Sequence, residues 1–302
     1  MTIYREIAIQ INPICADIVC DICNENFECE GIITGIEEFK KTKLIKSVYD
    51  VVKAYVIDEN LDFDNVQTFF HQKRAEILEK EIFQEDIGSW DITITEQPNE
   101  DWSKKWKEHW KPTPITETII ICPSWEKYTP KKEEKVIILD PGNAFGTGTH
   151  ATTRLCAQAI EKYVKENDSV ADVGCGSGIL AICASKTGAK TIDAVDNDET
   201  AVETAIENAK INKEKITFKT GTIDVLEDKK YDFVASNILH NVLRDIMPDI
   251  KRIMKIGAKA VLSGILEEKA EIVYEALIKN NLKIIEKTQE KEWVAFIAER
   301  ED

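Results

Sequence analysis

The chain has 302 residues, of which 43% are hydrophobic and 31% are charged, so it is long enough for two domains and typical of globular proteins. The sequence contains no apolar run of about 20 residues that could span a membrane and no signal-peptide pattern, which predicts a cytoplasmic protein without a membrane partner. Residues 1–100 hold 21 Asp and Glu against 9 Lys and Arg. Such an acidic segment either attracts basic partners or only keeps a domain soluble, and it disfavours direct binding of nucleic acid.

The first hundred residues show an alternation of strand and helix patterns. We predict, in chain order, a strand over 3–11, a helix from Pro13 to about Phe27, strands over 31–39 and 47–57, a helix capped by Asp62 or Asp64, and a strand over 90–95. The order β-α-β-β-α-β is that of the ferredoxin-like α+β fold. The sequence therefore predicts an independent ferredoxin-like domain over residues 1–98.

Half of the eight cysteines lie close together in this first segment, at Cys15, Cys20, Cys23 and Cys29. A zinc site would need two closely spaced pairs, and only Cys20 and Cys23 form one. Small buried side chains with reduced thiols are the other interpretation of this spacing. We favour that interpretation and predict no metal site.

Residues 99–112 contain a regular aromatic pattern. Trp102, Trp106 and Trp110 recur every four residues, so on a helix they form one stripe. Such stripes usually pack against protein, although contact with a substrate is the alternative. We predict a Trp-rich helical linker over 99–112, which Pro112 ends, and a second domain over residues 113–302.

The segment 139–153 reads LDPGNAFGTGTHATT. Its glycines allow tight turns and a close approach of backbone to a ligand. Thr149 or His150 is placed to cap the helix that follows. His150 can instead serve as a general base, but a histidine at a helix start more often caps or packs, so we favour the capping role.

The most informative stretch, 169–196, reads SVADVGCGSGILAICASKTGAKTIDAVD. It predicts a β-α-β unit in which Gly174 and Gly176 let a ligand approach bare backbone. The dinucleotide fingerprint would place its third glycine at position 179, where the chain has Ile179. With Asp172 included, the pattern D-x-G-x-G-x-G resembles the S-adenosylmethionine site of class I methyltransferases, in which the acid at the end of the second strand, here Asp196, binds the ribose hydroxyls.

Asn237 follows a predicted strand over 231–236, in the sequence SNILH. Ligands of open α/β sheets bind at the carboxyl ends of the strands, so Asn237 should face the same crevice as Gly174 and Asp196. Its amide oxygen can accept a hydrogen bond from an amine, whereas an asparagine in a simple turn is the alternative. A helix over 200–211 and strands near 216–220, 258–266, 282–285 and 293–298 complete a Rossmann-like seven-stranded α/β sheet.

The segments LDPGNAFGTGTHATT, ADVGCGSGILAI, AVDNDETAV, SNILHNVL and LSGIL occur in this order. Together they resemble the PrmA family, the methyltransferases of protein eleven of the large ribosomal subunit. The resemblance is close from about Asp101 onward and weaker before it, where the family has a ferredoxin-like substrate-recognition domain. The chain departs from the usual family pattern at Asn143, Ala151 and His240.

This resemblance implies S-adenosylmethionine as the cofactor, with contacts at Thr153, Gly174, Asp196 and Asn237. It also implies transfer of methyl groups to lysine ε-amines and the N-terminal α-amine of a basic ribosomal protein of the large subunit. Because a free lysine has a pKa near 10.4, only about one amine in 2,500 is neutral at pH 7. Desolvation raises that fraction, so we predict catalysis by desolvation and alignment on Asn237, without a strong base.

Two other functions share parts of this pattern. A methyltransferase of another amine, in a small molecule or an RNA base, would use the same cofactor motif, although the acidic first segment argues against RNA. A non-enzymatic nucleotide-binding protein would need only the glycine turn. The presence of both Asp196 and Asn237 argues against that second alternative.

Overall fold

The computed structural model describes residues 4–12, 15–27, 29–35, 50–56, 61–79, 87–97, 111–139, 148 and 150–302. The chain divides into two compact units, Met1–Trp110 and Lys111–Asp302. Most of the predicted linker, including its three tryptophans, lies outside the described residues. No helix of the described residues is long and apolar enough to cross a membrane.

The first unit is built around a four-stranded antiparallel sheet. Its elements are β1 (Tyr4–Ile11), α1 (Ala16–Asn26), β2 (Cys29–Gly35), β3 (Asp50–Val56), α2 (Phe63–Glu79) and β4 (Asp91–Gln97). The strands lie in the order β2-β3-β1-β4. This order, with the sequence β-α-β-β-α-β, confirms the ferredoxin-like α+β fold.

The core of the first unit follows the two-residue period of its central strand. Ile7, Ile9 and Ile11 of β1 are fully buried, because alternate side chains of a strand point to the same face. The four clustered cysteines carry free thiols, and Cys15 and Cys23 are buried in this core. They therefore act as small apolar side chains there.

The structure decides between the two predicted caps of α2 and corrects the start of β4. Asp62 is the capping residue, since its Oδ2 accepts the Asn65 N–H at 3.1 Å. The strand begins at Asp91 instead of Trp90. Trp90 adopts a left-handed backbone, φ +56°, and its buried indole donates to the Ile87 carbonyl at 2.9 Å. Burial of the indole in this turn outweighs the alternation that predicted a strand there.

The second unit contains a small sheet and a large one. The strands are β5 (Thr113–Pro114), β6 (Ile119–Cys122), β7 (Lys135–Ile138), β8 (Ser169–Val173), β9 (Thr191–Asp196), β10 (Thr217–Thr220), β11 (Tyr231–Asn237), β12 (Met254–Leu266), β13 (Leu282–Glu290) and β14 (Trp293–Arg300). The helices are α3 (Ala151–Tyr163), α4 (Ile179–Thr187), α5 (Glu199–Asn212), α6 (His240–Ile253) and α7 (Ala270–Lys279). Strands β5 to β7 form the small sheet, in which neither β5 nor β7 was predicted.

The large sheet has seven strands in the order β10-β9-β8-β11-β12-β14-β13. Strands β8 to β12 run parallel to one another, whereas β14 is antiparallel to both β12 and β13. The chain order reverses between β8 and β11, and such a switch point opens a crevice at the carboxyl ends of the strands. The predicted Rossmann-like sheet is therefore confirmed.

Apolar clusters cover both faces of this sheet. Successive residues of β8 alternate between them, with Val170 in the cluster of α3 and α4 and Ala171 in the cluster of α6 and α7. All five residues of β8 are buried, which explains its continuous run of small and apolar residues. The central position of β8 places the glycine turn that follows it at the middle of the sheet edge.

Candidate functional site

Three glycines form the turn between β8 and α4, and two of them are required by close packing. Gly174, Gly176 and Gly178 have φ values of +75°, +50° and +77°, in the left-handed region that favours glycine. A Cβ on Gly174 would lie 2.3 Å from the Ile238 side chain, and one on Gly178 would lie 2.9 Å from Ala205. The turn is therefore fixed by close contact with the segment after β11 and with α5.

The N–H groups of this turn are largely used within the protein. Those of Gly174 and Cys175 donate to the Val195 carbonyl at 2.9 and 3.0 Å, that of Gly176 to Asp196 Oδ2 at 2.8 Å, and that of Gly178 to the Cys175 carbonyl at 2.8 Å. A turn that binds pyrophosphate presents such donors to the anion at the start of a helix. Here a ligand can come close to the backbone of the turn, but these four N–H groups already donate to acceptors within the protein.

Asp196 has a structural role that the sequence did not reveal. Its Oδ2 accepts the Gly176 N–H, and its Oδ1 accepts the Asp198 N–H at 3.1 Å. The carboxylate of Asp196 thus ties the glycine turn to the end of β9. Because a carboxylate has about four acceptor positions, Asp196 retains capacity for ligand hydroxyl groups.

Asp172 is a fully buried carboxylate in β8. Its Oδ2 accepts the Ala181 N–H at 3.0 Å, but its Oδ1 has no hydrogen-bond partner among the residues that the structure describes. Burial raises the pKa of Asp172 to about 7, and the nearby charge of Asp196 adds to the shift. An acid within an apolar strand is the sequence signal for such a group, because isolated carboxyls are rarely buried.

The first turn of α3 holds a second unpaired polar atom. Thr153 is fully buried, and its hydroxyl has no partner within the described part of the chain. Buried polar atoms in native proteins nearly always have partners. Together with Asp172, Thr153 gives this edge of the sheet two buried polar groups with unused hydrogen-bonding capacity.

His150 is the N-cap of α3, as favoured from the sequence. Its Nδ1 accepts the Thr152 N–H at 3.4 Å and lies 2.8 Å from the Thr152 hydroxyl. Burial lowers the pKa of His150, so the ring is neutral at pH 7. Its ring also makes an edge contact with Trp293, with centroids 5.0 Å apart.

Asn237 is the last residue of β11 and is partly exposed. The residue after it is tightly held, because the Ile238 N–H donates to the Ser263 carbonyl at 3.2 Å. A Cβ on Gly264 would lie 2.3 Å from the Ile238 carbonyl oxygen. The backbone after Asn237 is therefore packed between two glycines, Gly174 and Gly264, which fixes the position of the asparagine.

The parallel register brings the three strand ends together. Val173 of β8 is paired with Val195 of β9 and with Ser236 of β11. Gly174, Asp196 and Asn237 each follow directly after one of these paired residues. The sequence-predicted residues thus lie at one edge of the sheet, at its switch point.

The electrostatics of this edge favour a cationic ligand. Burial is the main cause of the raised pKa of Asp172, and the charge of Asp196 adds to it, so two acidic groups lie near each other at this edge. Negative potential and internally bonded N–H groups disfavour pyrophosphate. A ligand with cationic groups, such as the ammonium and sulfonium of S-adenosylmethionine, would instead relieve the repulsion.

The sheet order and this acidic glycine turn define an S-adenosylmethionine-dependent methyltransferase of class I. Comparison with known proteins agrees: the profile described as ribosomal protein L11 methyltransferase (PrmA) matches residues 3–301. The chain belongs to the ribosomal protein L11 methyltransferase (PrmA) family.

Individual relatives cover most of the chain. The ribosomal protein L11 methyltransferase of Exiguobacterium sp. strain AT1b is 37% identical over 314 residues, covering 98% of this chain and 99% of that protein. The same-named protein of Clostridium botulinum strain Eklund 17B is 40% identical over 254 residues, covering 84% and 80%. The crystal structure of a ribosomal protein L11 methylase from Lactobacillus delbrueckii subsp. bulgaricus is 33% identical, with a TM-score of 0.60, and covers 64% of this chain and 100% of that one.

Proposed function

We propose that the chain methylates ribosomal protein L11, a basic protein of the large subunit, on lysine ε-amines and on the N-terminal α-amine, in the cytoplasm. The observation that carries the proposal is the acid-lined glycine turn, in a chain whose family match extends over residues 3–301. The match includes the first unit as well as the sheet that bears the site. Both parts of the chain are therefore assigned to one reaction.

The residues at the carboxyl edge fit the cofactor. The fully buried Thr153 hydroxyl and Asp172 Oδ1 lack partners among the described residues, as expected for groups that a ligand completes. Gly174 and Gly176 would bring backbone close to the ligand, and Asp196 would accept hydrogen bonds from its ribose hydroxyls. When bound, S-adenosylmethionine supplies an electrophilic methyl group on a sulfonium.

Asn237 is assigned the catalytic position. Its amide oxygen accepts a hydrogen bond from the substrate amine and so directs the nitrogen lone pair, which is an orientation effect. Desolvation of the substrate lysine lowers its pKa and increases the neutral fraction, provided that the positive charge of the bound cofactor offsets the nearby carboxylates. His150 is used as a helix cap, which supports a reaction without a dedicated strong base.

The first unit is assigned to substrate recognition. Within residues 1–100, Asp and Glu outnumber Lys and Arg by 21 to 9, a field that steers a basic protein toward it. We assign residues 1–98 to this domain, 99–112 to a linker and 113–302 to the methyltransferase domain. Deletion of residues 1–98 should abolish methylation of L11 while the affinity for S-adenosylmethionine, measured by calorimetry, changes less than about twofold. Full methylation by the shortened chain would contradict this role.

A labelling experiment tests the substrate. Purified protein is incubated with methyl-labelled S-adenosylmethionine and an equal mixture of unmodified ribosomal proteins, ribosomal RNA and free amino acids. The label should appear in L11, on lysines and the N-terminal amine, as read by mass spectrometry of peptides. Label confined to RNA or to a free amine would support the alternative substrates. Absence of cofactor binding would instead support a non-enzymatic protein.

A further inference from the structure

Two asparagines on α5 connect parts of the second unit that are distant in sequence. Asn208 and Asn212 are buried, one helical turn apart. Asn208 Nδ2 donates to the Ser177 carbonyl at 2.9 Å. Asn212 Oδ1 accepts the Ile138 N–H at 2.8 Å, while its Nδ2 donates to the carbonyls of Ile138, at 2.7 Å, and Asn208, at 2.9 Å.

The bond from Asn208 completes the glycine turn. Ser177 lies between Gly176 and Gly178, and the helical donor to its carbonyl would be the N–H of Ala181, four residues on. That N–H donates to Asp172 Oδ2 instead. The buried Ser177 carbonyl accepts a hydrogen bond from Asn208, which supports a backbone group that needs a donor when it is buried. Asn208 thus stabilises a turn in which the Ala181 N–H is bonded to Asp172 and not to Ser177.

The bonds from Asn212 hold the end of β7. Ile138 is the last residue of β7 and leads in sequence into the glycine-rich segment that ends at Thr153. Asn212 bonds both backbone groups of Ile138, as a neighbouring strand would. Since α5 begins three residues after Asp196, this helix is joined to three segments: β9, the glycine turn and β7.

Only an amide can make this set of bonds. Asn212 accepts through Oδ1 and donates through Nδ2 at once, whereas an aspartate lacks the donor and a leucine lacks both. The helix is also pressed against the turn, since a Cβ on Gly178 would lie 2.9 Å from the Cβ of Ala205. A small shift of α5 would therefore displace the turn directly.

We propose that Asn208 and Asn212 are positioning residues that set the affinity of the glycine turn for S-adenosylmethionine. They touch backbone groups and not the reacting atoms, so they govern how well the turn is formed before binding. The inference rests on the proposed function, because it assumes that the cofactor occupies the edge beside this turn.

The test uses the full chain and the variants Asn208→Ala and Asn212→Asp. The matched control is Asn280→Ala at the end of α7, because Asn280 Nδ2 also donates to a carbonyl four residues earlier, that of Ala276, at 2.8 Å. Calorimetry gives the Kd for S-adenosylmethionine, and thermal unfolding without ligand confirms that each variant is folded. Should Asn208→Ala fail to fold, Asn212→Asp, which retains the acceptor for the Ile138 N–H, decides the question.

We expect the Kd to rise about tenfold in the two α5 variants, with kcat at saturating cofactor reduced less than about threefold. The control should keep the wild-type Kd. An unchanged Kd in folded α5 variants, or a loss of kcat at unchanged Kd, would overturn the inference. If the wild-type chain itself bound no cofactor, the proposed function would fail, and this inference with it.

Discussion

Asp172 and Asp193 lie on neighbouring parallel strands, yet their surroundings are opposite. Burial alone would raise the pKa of Asp193, but hydrogen bonds from Lys230, at 2.8 Å, and from the Tyr231 hydroxyl, at 2.7 Å, lower it. Asp172 has one backbone donor and one unpaired oxygen, and burial raises its pKa to about 7. The carboxylate of Asp193 is thus hydrogen-bonded to side chains within the protein, whereas that of Asp172 keeps one oxygen without a partner among the described residues.

The same difference separates the two ends of the large sheet. At the amino-terminal end, Asp232 accepts the Ser169 N–H at 2.9 Å and pairs with Lys255 at 2.7 Å. At the carboxyl end, the Thr153 hydroxyl has no partner within the described residues. Polar groups of the first end stabilise the fold, whereas those of the second end have capacity left for a ligand.

The largest effect is expected from Asn237→Ala. Removal of the amide should lower kcat by about 100-fold, since alignment of the amine is lost, while the free energy of unfolding changes little at this partly exposed position. The rate is measured at saturating S-adenosylmethionine and L11, with Asn280→Ala as the control. A rate within about twofold of wild type would show that the carboxyl end does not orient the amine.

A smaller effect is expected from pH, through Asp172. Its pKa rises from 3.8 to about 7 on folding, so the folded chain binds more protons than the unfolded chain over that window. The free energy of unfolding therefore falls as the pH rises between these two values, because Asp172 ionises more readily in the unfolded chain. The loss is complete above the higher value. A cationic ligand favours the ionised form.

The affinity for S-adenosylmethionine should accordingly rise about tenfold from pH 5.5 to pH 8, with release of a proton on binding at the lower pH. Calorimetry in two buffers of different ionisation enthalpy measures both quantities. The Asp172→Asn variant should lose the dependence. An affinity that is independent of pH in the wild type would contradict a ligand charge beside Asp172.

Much of the fold and of the candidate site could be predicted from local patterns. The buried run of β8, the spacing of its glycines and Asp196 after the next strand predicted a β-α-β unit with a cofactor turn. The rule that ligands bind at the carboxyl ends of strands then located Asn237. These predictions depend on short segments whose local structure is the same whatever the rest of the fold.

The remaining features depend on tertiary partners. Nothing local shows that the Gly176 N–H is bonded to Asp196, or that Asn208 and Asn212 are buried, since both read as polar positions of a helix. Strands β5 and β7 were missed because each is short and is formed by pairing with β6 in the small sheet. Trp90 was predicted to begin a strand but lies in a turn before β4, where its indole is buried.

The most direct measurement is urea unfolding at pH 8, with and without saturating S-adenosylmethionine, of the wild type, Asp172→Asn and Asp193→Asn. Asp193→Asn should lose about 1–3 kcal/mol of unfolding free energy in both conditions, because a buried partner of Lys230 and Tyr231 is removed. It should keep the stabilisation by ligand that the wild type shows. Asp172→Asn should unfold no earlier than the wild type without ligand and lose most of the stabilisation by ligand. The account would be contradicted if Asp172→Asn kept the full stabilisation by S-adenosylmethionine and Asp193→Asn lost it.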